Sequence, residues 1–286
     1  MADKKVGIVA DSTACLPSEL AKELGIQVVP VDLVFEGKVY RDGLDSNYEE
    51  FYALLKSARR LPTTSAPSPS SYLEAMREAG KGREGVLCIT VSSKVSAMYE
   101  SARLAMEMAQ GSMPGLQVTV LDSGTAAMAQ GFVALEAARK AAQGVSLAEV
   151  ETAARQVSAK ANIVAMLDTL YYLAKGGRIP RAAAWIGSVL SIKPILEFRQ
   201  GEVRLVERAR TRRRALGRLL DIVEERLGNR PVHVAVVHAN AIEEAQILKE
   251  KIRARWQCRE LYITPFTPVM GAHLGPGLVG VAFYPD

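Results

Sequence analysis

The sequence predicts an α/β protein of two domains: an N-terminal parallel-sheet domain of α/β/α type and a smaller C-terminal α/β domain with a mixed sheet. Strand and helix patterns alternate through the first half, as a parallel sheet requires. A hairpin pattern in the second half introduces antiparallel pairing. The length of 286 residues is enough for two ordinary domains. We predict domains at residues 1–160 and 161–286.

In the first half, short apolar runs read as strands, and each is followed by a helical period. The helices begin where turn-forming or hydroxyl residues interrupt the apolar pattern. The predicted strands are Val6–Ala10, Ile26–Phe35, Val86–Val91 and Val118–Leu121, and the predicted helices start near Pro17 and cover Tyr48–Ser57, Ser70–Ala79, Val95–Gln110 and Thr125–Ala142.

The secondary-structure pattern that the sequence predicts changes after about residue 160. Two strands, Ile192–Arg199 and Glu202–Arg208, form a predicted hairpin across Gln200-Gly201. An apolar stretch at Asn162–Tyr172 precedes them. The remaining predicted elements are the helices Ala182–Ser191, Thr211–Leu227 and Ile242–Arg255, and the strands Val232–Val237, Leu261–Thr264 and Leu278–Tyr284.

The composition, with 49% hydrophobic and 23% charged residues, is that of a soluble globular protein. We read no secretory signal at the N-terminus and no apolar run of the ~18 residues that a membrane span needs. The three cysteines stand singly, without the spacing of a zinc site or a disulfide framework. We therefore expect a cytoplasmic protein without a metal site or stable membrane insertion.

Two sequence features suggest other ligands, but the residues around each feature argue against that interpretation. The basic stretch Arg204–Arg218 has no interleaved aromatic residues, so it favours a solvated helix face over nucleic-acid binding. The segment Gly80–Gly85 matches GxGxxG, but it follows a helix and precedes a strand, the reverse of a dinucleotide site. The chain also lacks a GxxxxGK[ST] loop. We expect neither a nucleic-acid partner nor a bound cofactor.

Hydroxyl-rich loops recur where predicted strands end. They are Asp11-Ser12-Thr13, Ser92-Ser93 and Asp122-Ser123, and Pro62–Ser65 is a fourth such loop without an obvious strand before it. Each loop by itself is explained as a helix N-cap. In a parallel sheet, however, strand ends share one edge, which is where ligands bind. Helix N-termini at that edge favour an anion.

The segment Gly271–Gly277 differs from the other loops, because it combines three glycines and a proline with a histidine, His273. Glycines allow unusual backbone conformations, which are often found near ligands. His273 is therefore a candidate site residue, while His233 lies in the predicted strand Val232–Val237, His238 directly follows it, and both are explained as structural residues. A rigid loop without function is the alternative interpretation of this segment.

Specific motifs follow one another along essentially the whole chain: Asp11–Thr13, Thr64–Ser68, Val91–Tyr99, Asp122-Ser123, Leu173–Ile179, Gly187–Ile195, Arg210–Arg212 and His273–Gly277. With these motifs the sequence resembles the DegV family of bacterial fatty-acid-binding proteins. Three positions depart from the usual family pattern: Ala66 replaces glutamine, and Ala97-Met98 replaces Gly-Thr.

The resemblance implies that a long-chain fatty acid lies between the two domains and that a separate ATP-dependent kinase converts its carboxylate to an acyl phosphate for phospholipid synthesis. Under this interpretation the chain is a carrier and not itself an enzyme. His273 and Arg178 are candidates for a role in the transfer. The implied ligand contacts are Thr64, Ser65, Ser92, Ser93, Ser96, Ala97, Gly271 and His273.

On this interpretation the hydroxyl loops of residues 1–160 bind the carboxylate, and residues 161–286 close a tunnel for the acyl chain. Burial of a sixteen-carbon tail is worth ~0.8 kcal/mol per CH₂, or ~11 kcal/mol before the costs of association. The apolar segments Ala126–Leu135, Ile163–Leu173 and Trp185–Leu196 are candidates for the lining. The sequence does not indicate the chain length or the degree of unsaturation.

Two other functions are compatible with parts of the sequence. A Ser/His-dependent esterase or lipid hydrolase would use Ser93 as nucleophile, His273 as base, and Asp122 or Asp11 to orient the base. The GxSxG nucleophile elbow is missing, which argues against it. A DNA-binding regulator rests only on the arginine stretch.

Overall fold

The computed structural model of the chain describes residues 5–42, 47–179, 181–185 and 192–286. The predicted helix Ala182–Ser191 begins as expected, and its residues 186–191 lie outside the described residues. The same holds for most of the Gly187–Ile195 segment and for part of the predicted apolar lining Trp185–Leu196.

The strands follow the predicted order, with additions between residues 32 and 65. They are β1 (Val6–Asp11), β2 (Ile26–Val29), β3 (Asp32–Phe35), β4 (Lys38–Arg41), β5 (Thr63–Ser65), β6 (Gly85–Thr90), β7 (Gln117–Asp122), β8 (Asn162–Met166), β9 (Lys193–Arg199), β10 (Glu202–Ala209), β11 (Val232–His238), β12 (Cys258–Pro265) and β13 (Val279–Pro285).

The helices also include elements that the sequence analysis did not predict, notably α6 and α11. They are α1 (Ser18–Leu24), α2 (Tyr48–Ser57), α3 (Pro69–Gly80), α4 (Met98–Ser112), α5 (Ala127–Ala141), α6 (Leu147–Lys160), α7 (Tyr171–Gly176), α8 (Ala182–Trp185), α9 (Arg212–Leu227), α10 (Ile242–Arg255) and α11 (Pro268–Leu274).

The chain divides into two compact units, and neither is a continuous stretch of sequence. Unit 1 contains Met1–Asp32 and Ser65–Ala161, and unit 2 contains Leu33–Thr64 and Asn162–Asp286. One boundary between the units lies after Ala161. The segment Leu33–Thr64 groups with the second unit instead of the first, which makes unit 2 the longer of the two, where the sequence indicates a smaller one.

Unit 1 is built on a parallel sheet with the strand order β2-β1-β6-β7. All residues of β1 and β6 are buried, as expected for strands covered by helices. Helices α3 and α5 pack on β1, and α4 and α6 pack on β7 and β6. This confirms the predicted parallel-sheet α/β domain.

The predicted strand Ile26–Phe35 is in fact two strands that belong to different sheets. It breaks at Pro30, which has no N–H group to donate to a neighbouring strand. The N–H group of Val31 turns away from the sheet and donates to the hydroxyl oxygen of Ser12 at 3.2 Å. As a result β2 lies in the sheet of unit 1, while β3 joins a second sheet with the order β4-β3-β5.

Unit 2 contains the predicted mixed sheet, with the strand order β10-β9-β8-β13-β11-β12. The hairpin β9–β10 is antiparallel, and β11 and β12 are the parallel pair. The apolar face of α9 packs on this sheet, and buried residues of α10 complete the same core. This confirms the mixed α/β architecture of the second domain.

Within the described residues, no helix combines the length and the apolar character that crossing a membrane would require.

Candidate functional site

In unit 1, the strands β1, β6 and β7 are parallel, so the loops that follow them lie at one edge of the sheet. The backbone ties these loops to one another. The N–H group of Ser92 donates to the carbonyl of Thr125 at 2.9 Å, and the N–H group of Ser123 donates to the carbonyl of Thr90 at 3.1 Å. The edge is therefore a connected structure and not a set of independent caps.

Asp11, at the end of β1, organises this edge although its side chain is fully buried. Its carboxylate accepts hydrogen bonds from the backbone N–H groups of Val91 at 2.9 Å and Thr13 at 3.2 Å, and from the Thr13 hydroxyl. Burial raises the pKa of this carboxyl, and the hydrogen bonds counteract part of that rise. Asp11 thus holds the start of the Ser92-Ser93 loop beside β1.

The exposed side chain of Ser93 has a partner within unit 1. Its hydroxyl donates to Asp122 Oδ2 at 2.5 Å, and its backbone N–H group donates to the same oxygen at 3.2 Å. The other oxygen of Asp122 accepts from the N–H group of Gly124 at 2.8 Å. In this arrangement the Ser93 hydroxyl donates its hydrogen bond to Asp122. Its oxygen can therefore accept further hydrogen bonds but cannot donate one to another group.

The remaining predicted ligand contacts in unit 1 differ in exposure. Ser92 is buried, and its hydroxyl oxygen accepts from the N–H group of Lys94 at 3.3 Å. Ser96 is half-buried, and its hydroxyl oxygen accepts from the N–H group of Met98 at 3.3 Å. Ser65 and Ala97 are exposed. The contacts of Ser92 and Ser96 are those of local turns, the structural interpretation that each hydroxyl loop allows.

In unit 2, three predicted residues form a cluster that we call the histidine cluster: Thr64 on β5, His273 on α11, and Arg178 after α7. The hydroxyl oxygen of Thr64 lies 2.9 Å from His273 Nε2. Arg178 donates to the same oxygen at 3.2 Å and to the carbonyl of Gly176 at 2.9 Å. Arg178 was predicted to have a role in the transfer, and its contact with Thr64 was not predicted.

The helix α11 carries His273 and is placed by close contacts between glycines and aromatic rings. A Cβ atom at Gly271 would lie 2.4 Å from Tyr52 Oη, and one at Gly275 would lie 2.2 Å from the Tyr172 ring. Gly275 also has a φ of +79°, which favours glycine. The Tyr52 hydroxyl donates to the carbonyl of Phe266 at 3.0 Å. Gly271, predicted as a ligand contact, is thus buried against Tyr52.

The chemistry of the histidine cluster follows from the state of His273. Burial, and to a lesser extent the neighbouring Arg178, lower the pKa of His273 from 6.5 to about 4. The imidazole is therefore neutral at pH 7, with one donor and one acceptor nitrogen. The cluster offers a guanidinium cation, a hydroxyl group and a neutral imidazole, which suits a carboxylate.

The arginine stretch does not act as a single surface. The guanidinium group of Arg212 is partly buried and paired with Glu244 and Asp168. Arg210, Arg213 and Arg214 are exposed. Among the residues that the structure describes, no group of three or more His, Cys, Asp or Glu side chains is arranged to hold a metal ion.

The low pKa of His273 makes stability depend on pH. Between pH 6.5 and 4 the unfolded chain binds a proton at this position that the folded protein does not, so stability falls as the pH falls through this range. The loss attributable to His273 is up to about 3 kcal/mol. We expect urea unfolding to show that the free energy of unfolding falls less on acidification for His273→Gln than for the parent protein.

Subtracting the two pH profiles is necessary because burial also lowers the pKa of His238, which adds to the same trend in both proteins. Parallel profiles for the parent protein and His273→Gln would show that His273 is solvated and would contradict the burial of its imidazole.

The chain is similar to known proteins along nearly its whole length. The DegV family model, described as "Uncharacterised protein, DegV family", matches residues 5–286. A DegV domain-containing protein of Halalkalibacterium halodurans is 36% identical over 282 residues, which cover 98% of each chain.

Solved structures agree with this match. A fatty-acid-binding DegV family protein from Thermus thermophilus superimposes with a TM-score of 0.90 at 28% identity, covering 99% of this chain and all of that chain. DegV from Bacillus subtilis, a fatty acid binding protein, superimposes with a TM-score of 0.85 at 32% identity and 99% coverage of both chains. The resemblance inferred from the motifs is confirmed: the chain belongs to the DegV family.

Proposed function

We propose that this protein binds a long-chain fatty acid and presents its carboxylate to a separate ATP-dependent kinase, which forms an acyl phosphate for phospholipid synthesis. The observation that carries the proposal is the contact of Thr64 with both His273 and Arg178, in a chain similar to structures that bind fatty acids. The protein is then a carrier, and the kinase supplies the nucleotide.

The head group is bound by groups that compensate its desolvation. An ionised carboxylate loses several kcal/mol when it leaves water unless it receives hydrogen bonds. In the histidine cluster Thr64 accepts from Arg178, which leaves its hydroxyl proton available for the carboxylate when His273 Nε2 is the protonated nitrogen. The guanidinium group adds a positive charge at hydrogen-bonding distance from Thr64. Ser65, Ser92, Ser93, Ser96, Ala97 and Gly271 remain predicted head-group contacts.

The acyl tail requires apolar side chains. Helix α5 supplies a buried run from Ala127 to Leu135, and every residue of β8 is buried. Both lie in segments that the sequence analysis selected as candidate lining. Much of this surface is ordinary core, so the tail contacts are proposed at the level of these segments.

The hydrolase alternative is less well supported by the same contacts. A serine nucleophile must give its proton to the base. The Ser93 hydroxyl donates its hydrogen bond to Asp122 and not to a histidine, and the described partner of His273 Nε2 is Thr64. In the carrier interpretation the two residues have different roles: the neutral His273 orients the carboxylate, and the Arg178 cation balances the phosphate charge.

The proposed transfer is a displacement at phosphorus. A carboxylate oxygen attacks the γ-phosphorus of ATP on the kinase; the new O–P bond forms as the bond to the β-phosphate oxygen breaks, and ADP leaves. Charge builds up on the phosphoryl oxygens during this step, which a guanidinium group stabilises. Arg178 is exposed and is therefore able to reach a group outside the protein.

We expect fatty acid to co-purify with the protein in near-equal molar amount, because a buried tail is released slowly into water. Denaturing extraction followed by mass spectrometry measures its amount and chain length. Lipid-free protein after mild purification, together with ester hydrolysis by the same sample, would favour the hydrolase instead.

Thr64→Val removes the hydroxyl group and keeps the side-chain shape. A hydrogen bond to a charged group is worth ~1.5–3 kcal/mol, so fatty acid affinity should fall roughly ten- to a hundred-fold. A fatty alcohol of the same length lacks the charge and should lose much less. Titration calorimetry with both ligands measures the difference, and Thr63→Val, an exposed neighbour on β5, is the matched control.

Equal losses of acid and alcohol affinity in Thr64→Val would indicate a damaged fold and would remove Thr64 from the head-group site.

Docking to the kinase is proposed to use the exposed arginines. Arg210→Glu should raise the carrier concentration needed for half-maximal acyl phosphate formation at least ten-fold while the fatty acid remains bound. Lys251→Glu reverses an exposed charge on α10 and is the control. Loss of the fatty acid from Arg210→Glu, or an equal effect of Lys251→Glu, would contradict this assignment.

A further inference from the structure

Arg212, the first residue of α9, lies at the centre of a network that we call the arginine clasp: Arg212, Glu244, Asp168 and Lys193. The guanidinium group forms a two-pronged ion pair with Glu244 and lies 3.2 Å from Asp168 Oδ1. It also donates to the backbone carbonyl of Gly277 at 2.7 Å. Only 26% of the Arg212 side chain is exposed, so the group is partly desolvated.

The clasp joins two segments that are distant in the sequence. Asp168 precedes α7, the helix that leads to Arg178, and Lys193 fixes this aspartate by donating to its carboxylate and, at 3.1 Å, to its backbone carbonyl. Gly277 lies just after α11, the helix that carries His273. Arg212 therefore contacts the start of one segment and the end of the other.

The packing at this junction leaves little room for movement. Gly277 has a φ of +84°, and a Cβ atom there would lie 3.2 Å from Asp168 Cβ and 3.3 Å from an Arg212 nitrogen. Within the joined segments, a Cβ atom at Gly176 would lie 2.9 Å from His273 Nδ1. A shift of the Gly277 carbonyl is therefore transmitted along α11 toward the ring of His273.

We propose that Arg212 is a positioning residue for the head-group site: by holding Asp168 and the Gly277 carbonyl together, it keeps His273 opposite Thr64 and Arg178. This inference rests on the proposed function. It separates Arg212 from its exposed neighbours Arg210 and Arg213, because its donor groups are already engaged within unit 2.

The first test reads the position of His273 without any lipid. In delipidated protein, NMR titration of the three histidine rings gives the pKa of His273, which burial lowers to about 4. Arg178 is the charged group that faces this ring. In Arg212→Met we expect the pKa of His273 to move by at least one unit toward 6.5, because the ring becomes more solvated. The ring of His233, the second residue of β11, is the internal reference.

The matched control is Arg218→Met, on the same helix. Arg218 also pairs with acidic side chains: Glu207 at 2.9 Å, Asp221 at 3.1 Å and Glu225 at 3.6 Å. These partners lie on β10 and α9 and not on the segments that carry Arg178 and His273. The control should lose comparable ion pairing and leave the His273 titration unchanged.

The second test measures head-group discrimination, the ratio of fatty acid to fatty alcohol affinity. We expect it to fall about ten-fold in Arg212→Met and to stay at the parent value in Arg218→Met. If Arg212→Met does not fold, Arg212→Lys replaces it. A lysine keeps the charge near Asp168 but cannot serve Glu244 and Gly277 at once, so the same direction of change is expected.

The two tests separate the inference from the function on which it rests. Failure of the parent protein to bind either ligand, with a shifted His273 titration in Arg212→Met, would overturn the proposed function and support the positioning role. A parent protein that discriminates acid from alcohol, with an unchanged titration and ratio in folded Arg212→Met, would overturn the positioning role.

Discussion

Contact between glycine backbone and aromatic rings is the constraint on which the position of α11, and with it His273, depends. Gly271 and Gly275 allow the helix to approach Tyr52 and Tyr172 more closely than a residue with a Cβ atom at either position would allow. Each tyrosine in turn belongs to a different part of unit 2, on α2 and α7. A side chain at either glycine would displace a helix whose neighbours are close-packed. The histidine cluster is thus built by packing first and by hydrogen bonding second.

The parallel sheet of unit 1 was predictable because each strand is an apolar run followed by turn-forming residues. Other elements depend on features that local patterns do not show. The break at Pro30 assigns β2 and β3 to different sheets, a choice that depends on distant partners. Helix α6 was overlooked although Ser146 and Glu149 form a capping box, a signal that the sequence does contain. Helix α11 is short, contains Gly271, and is followed directly by Gly275, Pro276 and Gly277, so its segment resembled a loop.

For the candidate site, the sequence supplied residue types but not their partners. His273 stood out through its glycine-rich surroundings, and Thr64 through its hydroxyl loop. Their mutual contact joins residues 209 positions apart, which no local spacing encodes. The Ser93–Asp122 hydrogen bond is of the same kind, since both residues were noted, but the hydrolase alternative assigned Asp122 to orient His273 and not to contact Ser93. The proposed role of Arg212 was not predictable, because this residue lies in a run of charged residues that favoured a solvated surface.

The discontinuous composition of unit 2 has a consequence for biosynthesis. Leu33–Thr64 leaves the ribosome early, but its partners in unit 2 begin at Asn162 and end at Asp286. At ~5–20 residues per second, this segment waits on the order of ten to forty seconds for the last of them. During that time apolar side chains such as Leu33, Phe51 and Leu55, which are buried in the finished protein, have no native cover from unit 2. The nascent chain therefore exposes aggregation-prone apolar surface until the rest of unit 2 has been made, and a chain truncated after unit 1 leaves an unpaired insert in its middle.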